Sequence, residues 1–209
     1  DRLTFPLSNI ATTGEFLNRW QVAQYKGLTF KIKGKNVRLE FSPHKYFEGG
    51  KTNFQDFYLN NIQDVISEIS TTFEFDPKKS AINFIEIGVN IKTNVDPNKL
   101  IDCFVCLKNN PFDRLPVKNK GYGRKCCSQQ LDVKFYNKGL QNDLNYYLLR
   151  FEVKIKRIKY LERYGIKSLS LADLTKPEFY PIFKKILLDV FDDILMYNPE
   201  ITPDKFSNQ

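Results

Sequence analysis

Apolar residues along this chain recur at two different spacings, and the switches between them mark the elements. Leu28 to Lys33 and Asn36 to Phe41 alternate as half-buried strands do, and Gly34-Lys35 between them has the length of a two-residue hairpin turn. Over residues 54–69 the step changes to three and four. Phe54, Phe57, Tyr58, Ile62, Val65, Ile66 and Ile69 form one stripe, which predicts an amphipathic helix with Asn53 placed to cap its start. Alternation returns over Ile82–Lys92, Gln129–Lys138 and Tyr147–Lys156. Asp96-Pro97 predicts another helix start, with proline in the first turn. Residues 108–125 are polar, basic and dotted with Gly and Pro, and they predict a mobile loop. A short helical segment is predicted near 156–164. A longer one is predicted from about 178 to 197, where Phe183, Ile186, Leu187, Val190, Phe191, Ile194 and Leu195 share a stripe. The sum is an α+β fold with a central antiparallel sheet and helices packed on one face. It is expected to be a single domain over 1–209, with its core at about 28–160 and a C-terminal helical segment at about 165–200.

The strands become informative once their faces are separated, because successive side chains point to opposite sides. In Val37 to Phe41 the polar side carries Arg38 and Glu40. Over Ile82–Lys92 it carries Glu86, Gly88 and Asn90, against Ile85, Ile87, Val89 and Ile91. In the next strand Asp132, Lys134, Tyr136 and Lys138 oppose Leu131, Val133 and Phe135. In the last, Arg150, Glu152, Lys154 and Lys156 oppose Leu149, Phe151, Val153 and Ile155. The two amphipathic helices are expected on the apolar side. A solvated sheet face would explain the polar side without any function. Against that, Glu86 lies within a largely apolar run typical of a central strand, where a carboxylate is costly unless paired, hydrogen-bonded or metal-bound.

Composition narrows the partners. The chain is 42% hydrophobic and 27% charged, as ordinary globular proteins are, but unusually aromatic, with 18 Phe and 11 Tyr. Its net charge of +8 and pI near 9.2 favour a polyanion, because each neutralised phosphate releases counterions. Cys103 and Cys106 have knuckle spacing, but Cys126 and Cys127 are adjacent, so a four-thiolate zinc site lacks its second half. Buried free thiols in a reducing compartment are expected instead. No signal peptide is visible and no apolar run approaches the ~20 residues a bilayer requires, so the expectation is a cytoplasmic protein with no membrane partner.

The polar faces hold a chemical set. Glu86 and Glu152 can share a divalent cation through hard oxygen ligands, with Asn90 as a neutral helper. Tyr136 can attack phosphorus as a nucleophile, and Lys138, two positions on, can steady a phenolate or phosphate oxygen. Tyrosine is also a normal strand residue; its company makes it a candidate.

At these residues the chain resembles the rolling-circle replication initiators of staphylococcal-type plasmids and, more loosely, of filamentous phages. Four segments in order carry the likeness: Val37-Arg38-Leu39-Glu40-Phe41-Ser42-Pro43, Phe84-Ile85-Glu86-Ile87-Gly88-Val89-Asn90, Val133-Lys134-Phe135-Tyr136-Asn137-Lys138 and Leu149-Arg150-Phe151-Glu152-Val153-Lys154-Ile155-Lys156. The resemblance implies a relative of the HUH endonucleases, with the active site on the sheet face opposite the helices. It implies Tyr136 as the nicking nucleophile and Glu86 and Glu152 as servants of Mg²⁺ or Mn²⁺. Aspartates are usual where Glu86 and Asn90 stand, and the His-hydrophobic-His triplet is missing. The single histidine, His44, is expected to be a loop residue rather than an accessory ligand. The activity implied is metal-dependent, sequence-specific nicking of single-stranded or hairpin origin DNA through a 5′-phosphotyrosine, with a host helicase and polymerase as further partners in a bacterial cytoplasm; it leaves a homodimer open. Arg38, Lys118, Lys120, Arg124, Lys125, Lys134, Arg150 and Lys154 are expected to hold phosphates and Tyr122 to stack bases. A relaxase or transposase of the same chemistry, or a non-catalytic DNA-binding module, are the other readings.

Overall fold

A computed structural model describes residues 20–116 and 122–197. The chain divides into two compact units, Asp1–Asp76 and Pro77–Gln209.

In the first unit, strands β1 (Gln21–Tyr25), β2 (Leu28–Lys33) and β3 (Asn36–Glu40) form an antiparallel meander. Lys26 and Gly27 both take positive φ (+45° and +82°), the geometry that lets a two-residue turn follow the twist of its strands. Two helices follow, α1 (Pro43–Phe47) and α2 (Leu59–Phe73). Ser42 caps α1, accepting from the Lys45 N–H at 3.3 Å. The long helix starts at Leu59, five residues later than the apolar stripe predicts, and Asn53 is not its cap. Its first turn is closed by Asn61, whose Oδ1 accepts from the Tyr58 N–H at 2.8 Å. Val65, Ile66 and Ile69 are buried with Leu28 and Phe30, and Phe73 packs on Tyr25 and Phe30.

In the second unit the elements run β4 (Ile85–Lys92), α3 (Pro97–Asp102), β5 (Phe104–Leu107), β6 (Asn110–Pro111), β7 (Asp113–Arg114), β8 (Gly123–Cys127), β9 (Leu131–Asn137), α4 (Lys138–Gln141) and β10 (Leu148–Ile155). Two 3₁₀ turns at Ile158–Tyr164 and Leu171–Thr175 then lead to α5 (Phe179–Asp192) and β11 (Ile194–Met196). Five strands pair antiparallel in the order β4-β10-β9-β8-β7, and a small sheet has the order β11-β5-β6. The α+β class and antiparallel sheet expected from the sequence are therefore present.

One face of the five-stranded sheet is the core. Val133, Phe135, Phe151, Val153 and Ile155 are buried there with Phe104, Phe112, Ile186 and Val190. Its centre is an aromatic pile: Phe135 stacks on Phe151 at 4.6 Å and on Phe104 at 4.0 Å, with Phe191 edge-on.

Several expectations change. The strand holding Arg38 and Glu40 belongs to the first unit's meander, so three of the four polar faces, not four, share a sheet. Of the two predicted amphipathic helices, α5 packs its stripe into this core, and α2 belongs to the first unit. Among the described residues β4 is an edge strand paired with β10 alone, so Glu86 is not central there. Of the stretch expected as a loop, residues 108–116 and 122–125 supply β6, β7 and the start of β8, while 117–121 lie outside the described residues. The last helix stops at Asp192, because residues 194–196 pair with β5 and their backbone groups find partners there. His44 sits in α1, its ring stacked on Phe57 at 4.6 Å. Of the four free cysteines only Cys126 is buried; Cys103 and Cys106 are half-buried and donate to the carbonyls of Lys99 and Lys108.

Candidate active site

The face of the five-stranded sheet opposite the core gathers a compact set of polar side chains. Register places them: Arg150 of β10 stands opposite Asn90 of β4 and Tyr136 of β9, and Glu152 opposite Gly88 and Lys134. Glu152 is the hub. Its Oε1 accepts from the Tyr136 hydroxyl at 2.9 Å and from Arg150 Nε at 3.0 Å, while Oε2 lies 3.6 Å from Lys134 Nζ. Lys134 donates to Glu86 Oε2 at 2.8 Å, and Arg150 Nη1 donates to Asn90 Oδ1 at 3.1 Å. Glu152 is 5% exposed and Tyr136 8%, so the central hydrogen bond is shielded from water.

The surroundings set the proton affinities. Burial alone would raise the Glu152 carboxyl, but the charges of Arg150 and Lys134 outweigh it and hold the group below its ordinary value. Burial pushes the Tyr136 phenol well up, and the Glu152 charge adds to this while Arg150 opposes part of it. Burial works against the Lys134 ammonium, but Glu86 and Glu152 more than offset this, and its value is raised. In the resting state the trio is a phenol, a carboxylate and an ammonium.

Gly88 belongs to the site, although the sequence reading gave it no role. A Cβ there would stand 2.7 Å from the Phe151 carbonyl oxygen, 2.9 Å from Arg150 Nη2 and 2.9 Å from Glu152 Cγ. The missing side chain is what admits the Arg150–Glu152 pair. A glycine in mid-strand was its signal. Parity puts Arg150 and Glu152 on one face, but the ion pair between them is a second feature that the expectations lack.

The other candidates scatter. Strand β9 ends at Asn137, whose side chain accepts from the Leu140 N–H at 3.0 Å; Lys138 therefore opens α4 instead of continuing the strand. It is buried, its ammonium 5.5 Å from the Tyr136 ring centroid, and it donates to Gln141 at 2.9 Å. Arg124 stands opposite Phe135 and so on the core face, 3.6 Å from Asp102. Tyr122 donates to that same carboxylate at 2.6 Å and packs against the core, so it is not presented for base stacking. Lys125, opposite Lys134, and Lys154, opposite Glu86, do share the Tyr136 face. Lys134 and Arg150, expected on phosphates, are engaged with carboxylates. Arg38 lies in the first unit, over the Trp20 ring at 4.5 Å. Lys118 and Lys120 lie outside the described residues.

The expected divalent site is not assembled by Glu86, Glu152 and Asn90. Each already has a cationic partner, and the Lys134 ammonium reaches both carboxylates where a metal ion would have to stand. Among the described residues no cluster of three or more His, Cys, Asp or Glu is placed to share a metal. As arranged, these residues do not fit a divalent cation. Among the described residues, too, no helix is long and apolar enough to cross a membrane.

No family model matches the chain, and no curated protein matches it. Among solved structures it is similar to that of a rolling circle replication initiator protein from Geobacillus stearothermophilus. The TM-score is 0.50 and the identity 12%, over 99% of this chain and 77% of that one. At that identity the likeness is one of fold.

Proposed function

We propose that this chain is a DNA-nicking replication initiator in which Tyr136 is the nucleophile and Glu152 its general base. The observation that carries the reading is the 2.9 Å hydrogen bond from the Tyr136 hydroxyl to a carboxylate held ionised by Arg150 and Lys134. The likeness in fold to a rolling circle replication initiator supports it, as does the net charge of +8.

In this reading single-stranded or extruded origin DNA lies across the polar face, with phosphates near Lys125 and Lys154. Tyr136 gives its proton to Glu152 as its oxygen attacks phosphorus. The bond from phosphorus to the 3′-oxygen breaks, and that oxygen takes up the proton that Glu152 received. The products are a 5′-phosphotyrosine and a 3′-hydroxyl that a host polymerase extends after a helicase opens the duplex. Base assistance is required because a phenol raised by burial does not ionise unaided near neutrality. The link conserves the phosphodiester's energy, so the step reverses and can rejoin strands. The protein would work where the plasmid or phage DNA is, in the bacterial cytoplasm.

The near-complete burial of Tyr136 favours a second reading, in which the face grips the DNA backbone without cutting it. Incubation with a labelled single-stranded origin oligonucleotide separates the two. An adduct that survives denaturation and vanishes in Tyr136→Phe supports nicking. Binding without any adduct supports the gripping module.

A further inference from the structure

Lys134 reaches further than its neighbours. It stands on β9, yet its ammonium crosses in front of β10 to Glu86 on β4, forming the 2.8 Å pair while remaining 3.6 Å from Glu152. The other Glu152 oxygen is taken by Tyr136 and Arg150. The two carboxylates thus carry two negative charges, and Lys134 and Arg150 supply two positive ones. A divalent ion entering between Glu86 and Glu152 would have to expel the ammonium and remain close to it. It would also need several oxygen ligands at about 2.0–2.6 Å. Asn90 Oδ1, which register brings to the same face, is accepting from Arg150.

We propose that Lys134 is the resident cation of this site, bridging Glu86 and Glu152 where a divalent ion would otherwise sit, so that the face holds its charge balance without bound metal. A lysine differs from a metal in consequence as well as in charge. It cannot be removed by a chelator, and it cannot contract its distances to the 2.0–2.1 Å that Mg²⁺ demands. It therefore fixes the two carboxylates and, through Glu152, the acceptor that faces Tyr136. The inference rests on the nicking reading only for its activity arm.

The test is manganese binding by the full chain without DNA, read from the loss of the free Mn²⁺ electron paramagnetic resonance signal. Wild type is expected to take up no stoichiometric Mn²⁺ in the micromolar to low millimolar range. Lys134→Met, which removes the ammonium and keeps the stem, is expected to gain one site, and adding Glu86→Gln should abolish it. One equivalent bound by wild type and lost in Glu152→Gln overturns the proposal, and that arm needs no Lys134 variant to fold. A folded Lys134→Met chain, judged by its circular dichroism, that binds no Mn²⁺ also overturns it. In the activity arm, adduct yield with a chelator and with Mn²⁺ should agree within about twofold, whereas a bound catalytic metal would separate them by orders of magnitude. If neither condition yields an adduct while the binding pattern holds, the nicking reading falls and the resident cation stands.

Discussion

At Tyr136 the phenol, the Glu152 carboxylate and the Arg150 guanidinium share one oxygen, so each can be disturbed separately. Tyr136→Phe removes a hydroxyl but keeps the ring; it should cost about 1 kcal/mol of stability and all covalent adduct. Arg150→Met removes one partner of a buried pair and leaves Glu152 under-compensated, an expected loss of about 3–5 kcal/mol by urea denaturation. Gly88→Ala drives a methyl against the Phe151 carbonyl and the Arg150 fork; it should destabilise by about 1–3 kcal/mol and lower adduct yield by moving Glu152. The pH dependence follows from the depressed Glu152 carboxyl. Its contribution is fully present above the ordinary carboxyl value and is lost as pH falls through the depressed folded value. A Glu152→Gln chain should therefore show a flatter acid limb in thermal melts than wild type, and equal acid limbs would contradict the assignment.

β9 and β10 are central to the five-stranded sheet and turn Phe135 and Phe151 inward as they turn Tyr136 and Glu152 outward. Because alternation couples the two faces, core packing sets the spacing of the site. Phe135→Ala should cost about 3–5 kcal/mol and loosen the Tyr136–Glu152 hydrogen bond as well. Much of this was legible in the sequence, since a period of two assigns every side chain of a strand once one face is known. Tyr136, Glu152, Glu86, Asn90 and Arg150 were brought to one face by parity alone. Strand neighbours were not legible: nothing local told that β4 is an edge or that Val37–Phe41 belongs to another sheet. The end of β9 was missed for a similar reason. Lys138 fits the alternation, but Asn137 caps a helix there, and a cap competes with the ladder only in three dimensions. Lys134 was assigned to phosphates because a sequence shows the sign of a charge and not its partner.

For the full chain, the net charge of +8 makes salt the natural probe of how much of the affinity for single strands comes from phosphates. The logarithm of the binding constant should fall with that of salt by about 0.7 per neutralised phosphate. Lys125→Ala and Lys154→Ala, on the Tyr136 face, should each lower that slope. Arg124→Ala, on the core face beside Asp102, should leave it unchanged. The central claim is that the Tyr136 oxygen becomes bonded to phosphorus. The most direct measurement is mass spectrometry of proteolysed protein after reaction with a short single-stranded origin oligonucleotide. The expected result is a nucleotide phosphate attached to Tyr136, and none formed by Glu152→Gln. Attachment at any other tyrosine, or an undiminished adduct in Glu152→Gln, would contradict it.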